Sequence, residues 1–286
     1  MARLLLMDGS SHPTMTAMNP PTDLTANTFI DGAIRTGEPS TDGAALRGTV
    51  RLRIHLWDLP LRLFHWLLVL AVSTAVITGE LGGAWMTLHG VAGLTVLGLL
   101  VFRLVWGAIG STSARFAHFA PTPTKLMTYL RGRWKGLGHN PLGALSVFAL
   151  LGLLLMQAGS GLFSNDDISF AGPLATFIED PLVSRLTGWH KLLANGLLAL
   201  SGLHLAAIGF HLRVKKDNLV GPMVTGWKVV EAPPSVAHPA RQGGGFAAFV
   251  TALALALTVI WALTLAPWLQ PPSTASAPPT KATPSW

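Results

Sequence analysis

Apolar runs long enough to cross a bilayer alternate along this chain with short polar ones. No charge interrupts the sequence between Arg62 and Glu80, and a second run extends from Leu81 to Phe102. A third, PLGALSVFALLGLLLMQAGSGLF, lies in the charge-free interval from Asn140 to Asn165; a fourth runs from Trp189 to Arg213 and a fifth from Phe246 to Leu269. A helix needs roughly 20 apolar residues to span the hydrocarbon, so the pattern predicts five membrane-spanning helices. Pro60 and Pro141 stand where the first and third begin, positions at which a missing N–H costs nothing.

The polar runs differ in sign. From Arg103 to His139 the chain carries Arg103, Arg115, Lys125, Arg131, Arg133 and Lys135 and no acid, and the fourth run exits through Arg213, Lys215 and Lys216. Within the first of these loops, KLMTYLRGRW has the composition of a basic amphipathic segment resting on a membrane face. The loop from 165 to 188 instead holds Asp166, Asp167, Glu179 and Asp180 against Arg185. Lys and Arg gather on the cytoplasmic side. The basic loops are therefore expected inside and the acidic loop outside, with a cytoplasmic N-terminus and a periplasmic C-terminus. The opening MARLLLM is too short for a signal-peptide core.

The same composition shifts divide the chain. Residues 1–50, rich in Thr, Ser, Pro and Gly without apolar periodicity, are expected to be a disordered extension. A four-helix domain follows over 51–228, then a Pro/Gly-containing linker over 229–245, an accessory transmembrane helix over 246–269 and a disordered tail over 270–286. The fold class expected is an all-α membrane protein.

Composition agrees and adds exclusions. Half of the 286 residues are hydrophobic, 12% are charged, and the mean hydropathy is +0.48. No cysteine is present, which rules out disulfides, thiolate metal sites, iron–sulfur clusters and covalently attached c-type haem. A net charge of +7 would suggest nucleic acid for a soluble chain. Here the charges are sided and the partner is the lipid bilayer, not nucleic acid.

The candidate chemistry lies in four histidines within the spans. His190 and His204 are fourteen residues apart, about 40° short of four helical turns, so they share a face and lie about 21 Å apart along the axis. Because successive helices alternate in direction, His65 falls at the depth of His204 and His89 at the depth of His190. Zinc would require a tetrahedral cluster, whereas each depth offers two imidazoles. Haem iron brings four equatorial nitrogens and needs two axial ligands. Two noncovalent b haems, one held by His65 and His204 and the other by His89 and His190, match that stoichiometry. With both axial positions filled, the chemistry is one-electron transfer, that of an electron-transfer component and not of a stand-alone enzyme.

Arg103, fourteen residues beyond His89, reaches the depth of the His65–His204 pair, either to meet a haem propionate or as a plain positive-inside anchor. Gly90, Gly93, Gly98, Gly152, Gly159, Gly196 and Gly202 would let a flat macrocycle, or simply a neighbouring helix, approach closely. His55, His118, His139, His211 and His238 fall at interfaces or in loops and are set aside. Two other readings remain: a histidine-based proton or metal transporter, and a noncatalytic anchor subunit of a redox complex. Both are weakened by the expectation that no buried carboxylate accompanies the histidines.

The segments WDLPLRLFHW, LHG with VFRLVWG, GHNPLGALSVFALL, NDDISFAGPLA, WHKLLANGLLALSGLHLAA and KKDNLVGPMVTGWK resemble the bacterial cytochrome b-561 family, which includes the cytochrome b subunit of nickel hydrogenases. The resemblance covers roughly Val50 to Lys228. It implies a four-helix dihaem cytochrome b of the bacterial inner membrane that exchanges electrons with a quinone and with a redox partner such as a c-type cytochrome or a hydrogenase subunit. It also implies His65, His89, His190 and His204 as axial ligands. The N-terminal extension and the fifth helix go beyond the minimal family pattern.

These loops make the orientation testable. Reporter fusions near Arg133 and Lys216 are expected to read cytoplasmic, and fusions near Asp167 and in the C-terminal tail periplasmic. A cytoplasmic Asp167 together with a periplasmic tail would overturn the scheme.

Overall fold

The computed structural model describes residues 50–134, 140–168, 170–232 and 244–269. The expected extension except Val50, the expected tail, most of the expected linker, His139 and His238 lie outside them. The elements in chain order are β1 (Val50–His55), α1 (Leu59–Leu81), α2 (Met86–Ile109), α3 (Phe116–Phe119), α4 (Pro123–Leu130), α5 (Pro141–Gly161), α6 (Asp180–Arg213), α7 (Val220–Thr225), β2 (Trp227–Ala232) and α8 (Phe246–Leu265). Among the described residues five helices, α1, α2, α5, α6 and α8, are long and apolar enough to cross a membrane. This is the expected all-α membrane architecture.

Local chemistry sets the helix boundaries. Asp58 caps α1, its carboxylate accepting the Leu61 N–H at 2.7 Å, with Pro60 in the first turn. Asn140 does the same for α5, accepting from Gly143 N at 2.7 Å ahead of Pro141. Each cap satisfies a donor that the helix start leaves open. Gly82, at φ +64°, ends α1 in a backbone region that favours glycine. The largest departure from the sequence reading is α6, which begins at Asp180 with Pro181 in its first turn. DPLVSRLTG, taken as loop, is helical: an acidic residue and a proline at a helix start suit the macrodipole and the absent N–H.

α2 is the hub of the bundle. It packs against α1, α5 and α8, while α6 packs on α5. The core follows it, with Leu100 and Trp106 almost fully buried and Leu61, Phe64, Leu154 and Leu197 closing around them. The fifth helix seats Ala252 and Ala256 against α2, where Ile260 occupies the space that a Cβ at Gly98 would need. Gly98 thus serves helix packing, the alternative expected for it. Outward side chains such as Leu70 and Leu203 are exposed, as lipid-facing surfaces are.

A two-stranded antiparallel ribbon was not foreseen. β1 pairs with β2 in the register Val50↔Ala232 through His55↔Trp227. The sequence reading ends the extension at Val50, starts the four-helix domain at Arg51 and opens the linker at Val229, so the ribbon crosses both of those boundaries. Alternation in VRLRIH was masked by its closeness to α1. α7, just before β2, is clipped to α1: Arg62 donates to the Val224 carbonyl and Trp66 Nε1 to the Met223 carbonyl at 3.3 Å.

At this end of the bundle, Asp58 is fully buried. Besides capping α1, it accepts from Trp106 Nε1 at 3.2 Å and from the Ser111 hydroxyl, joining the start of α1 to the end of α2. This buried carboxylate was not foreseen from the sequence; the partners it takes here are a helix start, an indole and a hydroxyl. Asp-x-Pro before an apolar run is a recognisable cap signal, but the cap alone does not reveal that the carboxylate faces inward. Asp58→Ala removes the cap and strands a buried indole N–H and a hydroxyl. Thermal unfolding in detergent is expected to show a loss of about 2–4 kcal/mol, against about 1 kcal/mol for Ser111→Ala. Equal effects would mean that Asp58 is no more than a cap.

Candidate functional site

The four histidines gather into two groups, one at each end of the bundle. At the end carrying the acidic loop, the imidazoles of His89 on α2 and His190 on α6 stand with ring centroids 6.1 Å apart and planes nearly perpendicular. His89 Nδ1 meets the Ala75 carbonyl of α1 at 2.8 Å, and His190 Nδ1 meets the Gln157 carbonyl of α5 at 2.9 Å. A carbonyl can only accept, so both rings carry their proton on Nδ1 and present Nε2 as the lone-pair nitrogen. An outer-shell carbonyl fixes the tautomer of a metal-ligating histidine in this way. The Gln157 side-chain amide donates to His190 Nε2 at 3.1 Å, and Ser160 Oγ lies 3.2 Å from Nδ1.

Glycines bring the neighbouring helices close to these rings. A Cβ at Gly79 would lie 3.1 Å from the His89 ring, and one at Gly161 would lie 2.9 Å from His190 Cε1. The acidic-end loop covers the pair. Asp166 accepts from Ile168 N at 3.0 Å and Phe170 N at 2.8 Å, turning the chain so that Phe170 lies edge-on to His89 at 6.3 Å. Gly90 accommodates this ring: a Cβ there would sit 2.7 Å from it.

At the opposite, basic end, His65 on α1 and His204 on α6 line one cleft of about 480 Å³. α1 and α6 belong to different packing pairs, and the cleft occupies the space between them. Its walls are almost wholly apolar, with Phe64, Leu68 and Leu151 among them. His65 Nδ1 is buried without a hydrogen-bond partner, which is costly unless something else satisfies it. Met223 of α7 also lines the cleft.

Arg103 lines the same cleft and is 2% exposed. A positive-inside anchor would reach for water; this guanidinium instead lies 4.4 Å over the Phe116 ring and donates to the Ala114 carbonyl at 3.1 Å. Three residues on along α2, Trp106 holds Asp58, so the two buried charged side chains among the described residues lie in one polar layer at this end. Here the apolar cleft meets a fixed positive charge.

The arrangement suits a large flat apolar group with an acidic edge: imidazole donors in pairs, a wide greasy cleft, an orphaned ring nitrogen and one buried arginine. No three His, Cys, Asp or Glu side chains converge among the described residues, so each end offers its two imidazoles and little else. Gln157, Ser160 and Phe170 were missed in the sequence. Gln157 and Ser160 interrupt an apolar span three residues apart, a signal of an inward polar stripe. Phe170 gave no signal, because its role depends on the fold of its loop. Of the glycines singled out beforehand, Gly93, Gly152, Gly159 and Gly202 would meet nothing within 4 Å.

Comparison with known proteins gives consistent results. Residues 56–226 match the family described as prokaryotic cytochrome b561, within the interval covered by the sequence resemblance. Relatives include a probable Ni/Fe-hydrogenase B-type cytochrome subunit of Azotobacter chroococcum mcd 1, 24% identical over 215 residues, or 62% of this chain and 88% of that one. The corresponding protein of Azotobacter vinelandii is similar to the same extent. A probable Ni/Fe-hydrogenase 1 B-type cytochrome subunit of Escherichia coli (strain K12) is 20% identical over 216 residues, 61% of this chain and 90% of its own length. No solved structure matches the chain.

Crowding at the acidic-end pair gives a selective test. Gly161→Val pushes against the His190 ring, whereas Gly152→Val enters open space. On the expectation of one haem per histidine pair, haem bound per chain, assayed as the pyridine haemochrome, should fall by about half in the first and stay constant in the second. Equal loss in both would remove Gly161 from the site.

Proposed function

This chain belongs to the prokaryotic cytochrome b561 family, and from that premise we propose that it carries electrons through two b haems, each held between two histidines. Family membership supports the coarser statement, electron transfer on haem b within a membrane, over the transporter alternative. The observation that carries the finer reading is the gathering of the histidines into two pairs, His89 with His190 and His65 with His204, with α6 contributing to both.

Bound haem supplies reversible one-electron chemistry at iron. The residues of the chain bind, orient and insulate it. At the acidic end, the Ala75 and Gln157 carbonyls hold the Nδ1 protons of His89 and His190 and leave Nε2 as the ligating nitrogen, which on His190 would exchange the Gln157 side-chain amide for iron, while Phe170 and its loop cover His89. At the basic end, His65 and His204 face the cleft from opposite walls, and Arg103 offers its positive charge to a haem propionate, as charge-assisted pairs favour. Its stacking on Phe116 and its bond to Ala114 hold that charge in place. Between His190 and His204 the helix rises about 21 Å, so two sites span most of a bilayer whose hydrocarbon is about 30 Å thick.

In this reading the membrane is the bacterial inner membrane, with the basic end cytoplasmic. The relatives named as hydrogenase subunits suggest the kind of partner: a redox enzyme or c-type cytochrome on one side, with a quinone at the other end of the path. The four-helix unit over 51–228 is the electron-carrying part, and α8 is an accessory span bound to α2.

Single ligand replacements test the pairing. His190→Ala and His89→Ala are each expected to leave about one haem per chain with one residual spectrum, and His204→Ala and His65→Ala to leave about one with another. His211→Ala keeps both haems. If His65→Ala gave the spectrum of His190→Ala, the pairing would be refuted.

A further inference from the structure

Beyond the histidine pairs, a second cavity lies where α6 leaves the bundle at its basic end. It has a volume of about 330 Å³ and is bounded by α4, the end of α6, the turn after it and the β1–β2 ribbon. Ile54, Leu56 and Leu219 form its apolar side, while Tyr129, His211, Lys215, Asp217 and Lys228 form its polar one. Three segments distant in sequence, α4, the end of α6 with its following turn, and β2, thus bring two ammonium groups, a phenol and an imidazole to one pocket.

The charges in the pocket do not cancel. Lys228 pairs with Asp217 at 2.8 Å, which uses the one carboxylate of the lining. Lys215 has no carboxylate partner among the described residues; its ammonium lies 3.3 Å from Tyr129 Oη and 5.4 Å over that ring. His211 Nδ1 is buried with no hydrogen-bond partner, and the carbonyls of this helix end are occupied: Asp217 N donates to His211 O at 3.0 Å and Val214 N to Phe210 O at 2.8 Å. What remains is a net positive pocket with an ammonium unmatched by a carboxylate and a ring nitrogen without a partner, a donor set for an oxyanion.

We propose that this pocket binds the phosphate of an anionic phospholipid. Its position decides for a lipid over a dissolved anion. α6 reaches the pocket with Leu203 and Phe210, seven residues apart and so on one face, exposed on its surface, a track along which an acyl chain can lie. Ile54, Leu56 and Leu219 give the glycerol region an apolar wall. Basic pockets at the ends of transmembrane helices recognise acidic headgroups by this combination. The site is separate from the histidine pairs, and its test does not depend on haem.

The full chain is purified into zwitterionic detergent, phosphatidylglycerol is added, and bound lipid per chain is counted by native mass spectrometry. One tightly held phosphatidylglycerol is expected, absent when phosphatidylcholine replaces it. Lys215→Gln is expected to weaken retention about fivefold, the factor one lysine near an anionic headgroup is worth, and Lys215→Arg to restore it. Lys215 is exposed, and unchanged circular dichroism confirms folding in each variant. Arg131→Gln, on the same basic surface but outside the pocket, is expected to retain the lipid. Equal loss in Arg131→Gln, no loss in Lys215→Gln, or displacement by inorganic phosphate as readily as by lipid would each overturn the proposal.

Discussion

A polar side chain inside a bilayer has no solvent to fall back on, and every inward-facing polar group of this chain must find a partner in the protein or in what the protein binds. That obligation shapes the bundle. Ser160 and Thr78 return their hydroxyls to their own helix backbones. Asp58 takes up an indole, a hydroxyl and a helix end; Arg103 takes a carbonyl and an aromatic face. His65 is buried with Nδ1 unmet, the exception to that rule within the protein's own contacts and the reason the proposed haem site is placed there.

The two ends meet this demand differently. At the acidic end the rings are locked by backbone carbonyls, flanked by glycines and roofed by Phe170, so the protein itself fixes imidazole orientation. At the basic end the helices stand apart and the cleft is wide, with orientation left to fewer contacts. A haem in the first would experience a dry, preordered setting; one in the second would sit beside a buried cation. Such differences in burial and local charge are the levers by which a protein separates the potentials of two chemically identical cofactors.

Much of this was legible from the order of residues. Spans, the opening prolines and the depth of each histidine follow from periods and charges that act locally or along one helix. His190 and His204 could be placed on one face because a helix has a fixed pitch. What could not be read depends on contacts between distant segments. Asp58 looked like an ordinary cap until Trp106 and Ser111 converged on it, and Arg103 could not be assigned to burial before Phe116 was known to lie beneath it. VRLRIH and WKVVEA are weak strand signals separately; only their pairing makes a ribbon. Gly79 and Gly161 escaped notice because glycine in an apolar helix has several uses, and the useful one depends on which ring lies opposite.

That ribbon bears on how the protein is made. Its strands join residue 50 to residue 232, so the first-made part of the domain waits for the last, and ends this far apart in sequence meet late. Until β2 and α7 have emerged, Met223 cannot close over the cleft between α1 and α6. A nascent chain therefore passes through a period in which all four helices are inserted while the basic-end cleft is still uncapped. Were a cofactor loaded into that cleft, its natural window would be this period, before the ribbon zips.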